Sequence, residues 1–301
     1  MDIVIPTLNE GMTIDDILQD ISNLKLPIEV SALVIDGGSL DNTLEICKKA
    51  NVRVIRQRSR GKGTAIREAV EYSNADIIVF IDGDGTYSIA DLEMLLEPLL
   101  TDSADMVVGS RVKTKREKGS ISFLNNIGNK LFNKTINFSL GSGVADSLSG
   151  YRAFYRKTFM EFVLFSNSFE IEVEMTVEAL AKGYRVLEVP ISYGRRHGTN
   201  TKLSSLDDGI KIGRTLLFIL MNVNPLKFFG IFSLGFFVVG LYPGILVIVE
   251  KISTGQIISL PAVVLAALLF ISSAICMVIG ILSELVVTSR RRLEAMIKRT
   301  H

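Results

Sequence analysis

Two aspartates two positions apart are the residues of this chain whose spacing most clearly suggests chemistry. The stretch FIDGDGTYS, from Phe80 to Ser88, places Asp82 and Asp84 between glycines directly after an apolar run. Three interpretations compete: a calcium-binding loop, a magnesium site that holds a diphosphate, and a polar turn whose aspartates begin the following helix. Each makes a different demand on the neighbouring residues.

The calcium interpretation fails at one position of the loop. An EF-hand places oxygen ligands at positions 1, 3, 5 and 12 and a glycine at position 6. Asp82, Asp84, Thr86 and Glu93 occupy the four ligand positions, but Tyr87 stands where the glycine is required. A strand rather than a helix is also expected to enter the loop. The stretch RSRGKGT has a Gly-Lys pair but lacks the first glycine of a P-loop.

The magnesium interpretation needs few protein ligands. Magnesium that serves diphosphate chemistry is usually bound by one or two carboxylates, and water and phosphate oxygens complete its coordination. Glycines at positions 83 and 85 allow such a ligand to approach the backbone closely. The alternative is that both aspartates only start the next helix. We favour the metal site because other polar residues are expected at the same place.

Short apolar runs alternate with helical patterns over the first 110 residues. The runs lie at about residues 3–5, 32–35, 52–55, 77–81 and 106–108, and the stretches between them repeat apolar residues at spacings of three and four. Strands that are mostly apolar throughout are typical of a parallel sheet covered by helices on both faces. The pattern predicts an α/β domain of the nucleotide-binding type, with a further strand in the stretch from Val186 to Tyr193.

Polar residues follow four of the predicted strands. They are Asn9 and Glu10 after the first, Asp36 after the second, Asp82 and Asp84 after the fourth, and Arg111 after the fifth. Ligands of such sheets bind beyond the carboxyl ends of the strands, where these residues should meet. We therefore expect one site at this edge of the sheet.

The C-terminal part of the chain contains two uncharged apolar stretches, from Phe228 to Val249 and from about Leu260 to Ser283. Each is long enough to cross the roughly 30 Å hydrocarbon core of a bilayer. Basic residues lie outside both ends of this hairpin, so we expect both ends to be cytoplasmic. The preceding residues, 206–227, are amphipathic and then apolar over too few positions to span, which predicts an interfacial helix.

The expected organisation is therefore a cytoplasmic α/β domain over residues 1–205, an interfacial helix over 206–227, two transmembrane helices within 228–287, and a basic cytoplasmic tail over 288–301. No export signal is evident at the beginning. The net charge of +1 says little about partners, among which we expect no nucleic acid, and Cys47 and Cys276 form no disulfide or metal pattern. We expect the glycosylation sequons at Asn133 and Asn137 to be accidental, because this orientation keeps them from a lumenal machinery.

Eight motifs, in order, resemble family 2 glycosyltransferases of the GT-A fold, in the branch of polyprenyl-phosphate hexose synthases such as dolichyl-phosphate mannose or glucose synthases. The motifs are IPTLNE, VIDGGSLDNT, RGKGTAIREA, FIDGDGTYSIADL, VVGSR, DSLSGYRAF, FEIEVEM and VPISYGRRHGTNTKL. The likeness covers about residues 1–215 and implies a Rossmann-like, mainly parallel catalytic domain. The hairpin resembles the two-span members of the branch, some of which form tetramers, so a homo-oligomer is implied.

The resemblance also implies roles for individual residues. Nucleotide-sugar contacts are implied for Pro6, Glu10, Asp36 and Asp82, and a Mg²⁺ or Mn²⁺ ion for Asp82, Asp84 and Thr86. Catalytic roles are implied for Asp84 through the metal, Arg111 facing the acceptor phosphate, and Arg196 and Lys202 near the donor diphosphate and acceptor. Contacts with the sugar or acceptor are implied for Asp146, Ser149, Arg152 and Glu172.

The chain departs from the family pattern in three places. In the second motif Asp36 is followed by a glycine where two adjacent aspartates are usual, and Asn200-Thr201-Lys202 replaces a more usual Ser-Lys pair. A basic residue that mannose synthases often carry is not evident near residues 122–126. These departures favour a donor carrying uridine diphosphate and glucose or N-acetylglucosamine, with GDP-mannose as the alternative.

The expected reaction transfers a hexose to dolichyl or undecaprenyl phosphate at a bilayer. The acceptor phosphate is largely dianionic at neutral pH, so it needs no base, and the chain has only two histidines, His197 and His301. The family implies a single inverting displacement. Two other functions compete: a membrane partner that binds nucleotide sugar without turnover, and a nucleotidyltransferase of similar fold, which would need no hairpin and would release pyrophosphate.

Overall fold

The computed structural model describes residues 1–112, 123–168, 170–194, 215, 217, 220, 221 and 223–300. The chain forms two compact units, Met1–Thr215 and Leu216–His301. The first unit contains the described sheet, and the second contains two long helices. Arg196 and Lys202, both predicted site residues, lie outside the described residues, as does most of the predicted interfacial helix.

The first unit is built on a mainly parallel sheet. Its strands are β1 (Asp2–Thr7), β2 (Ser31–Asp36), β3 (Arg53–Arg56), β4 (Ile77–Phe80), β5 (Met106–Ser110), β6 (Arg152–Tyr155) and β7 (Val186–Pro190). Their order across the sheet is β3-β2-β1-β4-β6-β5-β7. All neighbours pair in parallel except β6, which is antiparallel to both β4 and β5. The predicted α/β class is confirmed, and β6 is an addition to it.

Helices cover both faces of this sheet. They are α1 (Ile14–Ser22), α2 (Thr43–Lys49), α3 (Lys62–Tyr72), α4 (Leu92–Leu100), α5 (Phe123–Leu140), α6 (Arg156–Met160) and α7 (Ile171–Ala181). Successive residues of a strand point to opposite faces, and Ile3 and Ile5 enter one buried apolar cluster while Val4 enters the other. This explains why β1 is apolar at consecutive positions instead of alternating.

The topology brings several strand ends to one edge. β1, β2 and β4 run in the same direction, so Thr7, Asp36 and Phe80 lie at their carboxyl ends. β5 points the same way, because β6 is antiparallel to both of its neighbours. The residues just before β6 therefore also reach this edge. The sheet thus assembles chain segments around residues 7–10, 36–39, 81–86, 110–112 and 146–151.

The second unit is a hairpin of α8 (Pro225–Thr254) and α9 (Leu260–Thr300). Within it, Pro225–Thr254 and Leu260–Arg290 are long and apolar enough to cross a membrane. The two helices pack antiparallel, since Ser233 hydrogen-bonds to Ser273 and a Cβ at Gly240 would touch Leu269. Both predicted apolar stretches lie within these helices. The orientation in a membrane stays a prediction, as do the domain boundaries.

Candidate active site

The turn after β4 holds Asp84 through its own backbone. Asp84 Oδ1 accepts hydrogen bonds from the Thr86 hydroxyl at 2.6 Å and from the Thr86 N–H at 3.2 Å. A short polar side chain that binds the backbone two residues on is the usual way to close such a turn. The contact brings the Asp84 carboxylate and the Thr86 hydroxyl together, as the metal interpretation requires.

Asp82 has a different partner, Lys62 at the start of α3. The Lys62 ammonium donates to Asp82 Oδ1 and also lies 2.6 Å from Glu172 Oε1, on α7. The Lys62 and Glu172 side chains are only 13% and 3% exposed. We call these three residues the Lys62 cluster. It joins the start of α3, the end of β4 and the first turn of α7 at one point.

The charges of the Lys62 cluster are set by burial and by the ion pairs. Burial alone would lower the pKa of Lys62, but Asp82 and Glu172 raise it well above its usual value, so the ammonium stays charged at neutral pH. Burial raises the pKa of Glu172 against the opposing effect of Lys62. Glu172 Oε2 is buried and has no hydrogen-bond partner in the described part of the chain.

A short segment fixes the start of α3. Asn167 O accepts from the Gly63 N–H at 3.1 Å, and Arg67 of α3 donates to Ser166 O at 2.5 Å. The Glu174 carboxylate of α7 in turn accepts the Ser166 N–H at 2.9 Å. These contacts link α3 with α7, the two helices that carry Lys62 and Glu172. The position of the ammonium is thus determined from both sides.

The predicted nucleoside residues lie along the ends of β1 and β2. Asp36 is fully buried, and its carboxylate accepts the N–H groups of Gly38 at 2.9 Å and Ser39 at 3.1 Å. Pro6 pairs in register with Ile35. The Glu10 N–H donates to Thr43 at 3.0 Å. Pro6 and Asp36 therefore lie on neighbouring strands, Glu10 lies beside Thr43 at the start of α2, and Asp36 shapes the turn after β2.

Arg111 is held by Asp146 at the end of β5. Its Nε and Nη2 donate to the two Asp146 carboxylate oxygens at 2.9 and 2.8 Å, and its N–H donates to Oδ2 at 2.8 Å. The guanidinium also lies over the Tyr193 ring, 5.3 Å from its centre. Burial raises the pKa of Tyr193, and the charges of Arg111, Asp84 and Asp82 all act on that hydroxyl. The Gly194 N–H donates to Thr86 O at 2.9 Å, so the segment that Arg111 contacts also adjoins the turn that carries Asp84.

Comparison with known proteins identifies the type of domain. Residues 2–163 match the domain of glycosyl transferase family 2. The chain belongs to this family. The glycosyltransferase is 40% identical over 236 residues to Glycosyltransferase AglJ of Haloferax volcanii, covering 78% of this chain and 76% of that protein. The predicted family and the predicted enzyme class are both confirmed.

Two further relatives are named for an acceptor. A dolichyl-phosphate hexose transferase of Haloferax volcanii is 32% identical over 215 residues, covering 71% of this chain and 91% of that one. A UDP-N-acetylglucosamine–dolichyl-phosphate N-acetylglucosaminyltransferase of Methanococcus voltae is 29% identical over 250 residues, covering 73% and 96%.

A solved structure supports the fold alone. Glucosyl-3-phosphoglycerate synthase from Mycobacterium tuberculosis, in complex with Mn²⁺, uridine diphosphate and glucosyl-3-phosphoglycerate, superposes with a TM-score of 0.57 at 23% identity. The match covers 73% of this chain and 78% of that one. The GT-A architecture expected of the glycosyltransferase is therefore confirmed.

Two of the residues predicted to contact the sugar or the acceptor have side chains buried in the interior of the glycosyltransferase domain. Ser149 and Arg152 are fully buried. The Ser149 hydroxyl donates to Gly109 O at 2.5 Å, and Arg152 donates to Ser149 O and Ser147 O, each at 2.7 Å. Burial lowers the pKa of Arg152 to about 10, so it is still charged at neutral pH. These contacts support residues 147–149, and ligand contact stays a prediction for both, as it does for Asp146.

Lys62 is a site residue that no sequence pattern above predicts. Its motif, RGKGTAIREA, resembles the family, but its Gly-Lys pair does not fit a P-loop. The available signal was its position between two glycines before a helix. Gly61 has φ +116°, a left-handed conformation that glycine adopts without strain and that turns the chain into α3.

The residues at the β4 turn fit a divalent cation that a ligand helps to bind. Among the described residues there is no group of three or more His, Cys, Asp or Glu that could hold a metal. Asp82 is paired with Lys62, so Asp84 with Thr86 is the better-suited pair of oxygen donors. Phosphate oxygens would have to supply other ligands, as they usually do for magnesium.

Proposed function

We propose that this glycosyltransferase transfers a hexose from a nucleotide diphosphate sugar to a polyprenyl phosphate such as dolichyl phosphate. The observation that carries the proposal is that the Tyr193–Gly194 segment contacts both Arg111 and Thr86 of the turn that carries Asp82 and Asp84, on a chain with two helices of spanning length. Carboxylates suit a metal-bound diphosphate, and a buried guanidinium suits a second phosphate. Two relatives named for dolichyl phosphate support the same acceptor.

The donor that we favour carries uridine diphosphate with glucose or N-acetylglucosamine. The Methanococcus voltae relative is named for UDP-N-acetylglucosamine, and structural neighbours were crystallised with uridine diphosphate and UDP-glucose. The glycine that follows Asp36 in the second motif points in the same direction. GDP-mannose remains the alternative donor. Whichever donor is used, we assign recognition of the sugar hydroxyls to the Lys62 cluster.

The reaction follows from the charges at the site. An oxygen of the acceptor phosphate attacks the anomeric carbon, the bond from that carbon to the diphosphate breaks, and the nucleoside diphosphate leaves with the electron pair. Arg111 binds the acceptor phosphate, which is already dianionic and needs no base. Asp84 and Thr86 would hold the Mg²⁺ or Mn²⁺, which would supply positive charge to neutralise the leaving diphosphate. The Lys62 cluster orients the sugar, and Arg196 and Lys202 complete the cationic surroundings.

The hairpin supports a place in the bilayer, where the lipid acceptor resides. In this proposal residues 1–205 form the cytoplasmic catalytic domain, residues 206–227 lie at the membrane surface, and residues 288–301 return to the cytoplasm. The basic residues around the hairpin favour this orientation. We also propose that the protein forms a homo-oligomer, as the family resemblance implies.

Labelled substrates test the function directly. UDP-glucose, UDP-N-acetylglucosamine and GDP-mannose are each combined with dolichyl or undecaprenyl phosphate and the full chain in detergent, with Asp84→Ala as the inactive reference. We expect a chloroform-soluble, mild-acid-labile product from a UDP-sugar. Use of GDP-mannose alone would contradict the donor preference. Saturable donor binding without release of nucleoside diphosphate from any pair would contradict catalysis.

A further inference from the structure

Three asparagines of α5 face one irregular segment of the chain. Asn129, Asn133 and Asn137 are spaced by four residues, which places their side chains on the same face of the helix. They contact residues 142–147, which form neither helix nor strand. We call these three residues the asparagine ladder. It lies outside the residues assigned above to the donor or the metal.

Two residues of the asparagine ladder donate hydrogen bonds to the backbone of this segment and accept hydrogen bonds from it, as the backbone of a neighbouring strand would. Asn137 donates to Val144 O and accepts the Val144 N–H, each at 2.9 Å. Asn133 accepts the Ser147 N–H at 3.0 Å and donates to Ala145 O. A primary amide is suited to this because it offers a donor and an acceptor at once. Buried backbone groups without such partners would be costly, and Ser147 is fully buried.

The same segment is fixed from the sheet. One oxygen of Glu188, on β7, accepts the N–H groups of Ala145 at 2.9 Å and Asp146 at 2.8 Å. The backbone at Asp146 is therefore held between α5 and β7. This arrangement determines where the Asp146 carboxylate lies, and that carboxylate is the one that binds Arg111.

Asn129 contacts the Asp146 carboxylate directly. Its amide donates to Oδ1 at 2.9 Å, the oxygen that also accepts from Arg111 Nη2. Two N–H groups of one guanidinium bind the two oxygens of one carboxylate, a geometry with little freedom of rotation. The orientation of the carboxylate thus sets the orientation of the guanidinium.

Stability alone is a poor explanation for Asn129. The residue is buried, and its Oδ1 has no hydrogen-bond partner in the part of the chain that the structure describes. An unpaired buried amide oxygen costs about 1–3 kcal/mol, which offsets what the bond to Asp146 contributes. The side-chain amides of Asn133 and Asn137 donate hydrogen bonds to the backbone of residues 144 and 145. In the folded protein these two sequon asparagines are therefore already hydrogen-bonded.

We propose that Asn129 is a positioning residue for Arg111: supported by the rest of the ladder, it orients Asp146 and through it the guanidinium that binds the acceptor phosphate. This inference rests on the proposed function, which gives Arg111 to the acceptor. It predicts that substitution of Asn129 weakens binding of the acceptor more than binding of the donor.

Steady-state kinetics of the full chain test this inference, with UDP-glucose or UDP-N-acetylglucosamine as donor and dolichyl phosphate as acceptor. For Asn129→Ala we expect the acceptor KM to rise about tenfold, the size expected for a lost hydrogen bond to a charged group, with the donor KM within about twofold. Asn129→Asp should raise it further, because a second carboxylate repels Asp146. Asn129→Ser, which keeps a shorter donor, should give a smaller rise and serves if Asn129→Ala is not recovered folded.

Ser73→Ala is the matched control. Ser73 is also fully buried and donates to a carboxylate, Asp2 Oδ2, at 2.6 Å, but Asp2 begins β1 at the opposite edge of the sheet. Ser73→Ala should lower the melting temperature about as much as Asn129→Ala does. It should leave the acceptor KM unchanged. The inference is overturned if wild type forms product but Asn129→Ala moves both KM values equally or no more than Ser73→Ala does. If wild type forms no lipid-linked product with UDP-glucose, UDP-N-acetylglucosamine or GDP-mannose, the proposed function itself fails.

Discussion

The Lys62 ammonium bridges two carboxylates, because it pairs with Asp82 and lies 2.6 Å from Glu172 Oε1. One cation therefore pairs with a buried acid of α7, Glu172, and with a partly exposed one, Asp82, in the turn after β4. Removing one partner of such a buried group leaves charge without compensation, which is more damaging than the pair is stabilising. The Lys62 cluster is thus both a candidate sugar-binding element and a point on which the local fold depends.

Substitution Lys62→Met should damage both stability and activity. The free energy of unfolding should fall by about 3 kcal/mol, because Asp82 and Glu172 lose the cation that pairs with both of them. Transfer should fall about a hundredfold or more, as for loss of a charged active-site group. Denaturant titration and product formation measure the two effects. Lys48→Met, on the exposed side of α2, is the control and should change neither.

A double substitution tests whether the lost stability comes from the uncompensated charge of the two carboxylates. Adding Glu172→Gln to Lys62→Met removes one of the two carboxylates, so about 1–2 kcal/mol of the lost stability should return. Activity should stay low, because neither the cation nor the carboxylate is restored. Strictly additive losses of stability in the double variant would show that Lys62 and Glu172 are not coupled.

Gly150 allows Asp82 and Lys62 to meet. A Cβ at Gly150 would lie 2.8 Å from Asp82 Oδ2 and 3.0 Å from Lys62 Nζ. Gly150→Ala should therefore displace the ends of two side chains and leave the backbone in place. We expect transfer to fall about tenfold with the melting temperature nearly unchanged.

Gly143→Ala is the control for Gly150→Ala. No described atom lies within 4 Å of a Cβ at Gly143, so this substitution should leave both transfer and melting temperature near the wild-type values. Equal activity in the two variants would mean that the ion pair between Lys62 and Asp82 does not need its observed position.

The strands of the parallel sheet could be predicted because their residues are apolar on both faces, as in β1 and β4. β6 could not be predicted in the same way. It has four residues, and its first, Arg152, is charged yet fully buried, because carbonyls of the preceding segment bind its guanidinium. That environment is created by folding and leaves no periodic signal in the sequence.

The site was predictable at the level of strand ends but not of partners. Alternation of strands and helices was enough to place Asp82, Asp84 and Arg111 at one edge. Lys62 is 20 residues from Asp82, and Asp146 is 35 residues from Arg111, separations that no local pattern encodes. Arg196 and Lys202 remain predictions from the family resemblance.

Metal dependence is expected to run through Asp84. Treatment with EDTA should abolish transfer, and added Mn²⁺ or Mg²⁺ should restore it. Asp84→Ala should lower transfer about a hundredfold or more at saturating metal, because the leaving diphosphate loses electrostatic stabilisation. Asp20→Ala, on the exposed side of α1, is the control for removing an aspartate. Full activity of the EDTA-treated enzyme would contradict the metal assignment.

The hairpin should depend on Gly240 for close packing of α8 on α9. A Cβ at Gly240 would lie 3.1 Å from Leu269 Cβ and 3.3 Å from the Phe270 ring, so a larger side chain must separate the helices. Gly240→Leu should therefore destabilise the hairpin by about 1–3 kcal/mol, the usual cost of overpacking. The measurement is the thermal transition of the full chain in detergent, followed by protease resistance of the fragment that contains both helices.

Gly235→Leu provides the matched comparison within the same helix. No described atom lies within 4 Å of a Cβ at Gly235, so leucine there adds apolar surface without a clash. Because glycine is a poor helix former, by about 1 kcal/mol relative to alanine, this variant should be as stable as wild type or more so. If the two leucine variants melted alike, the packing of α8 on α9 would not be limited by Gly240, and small residues would have no special role in this hairpin.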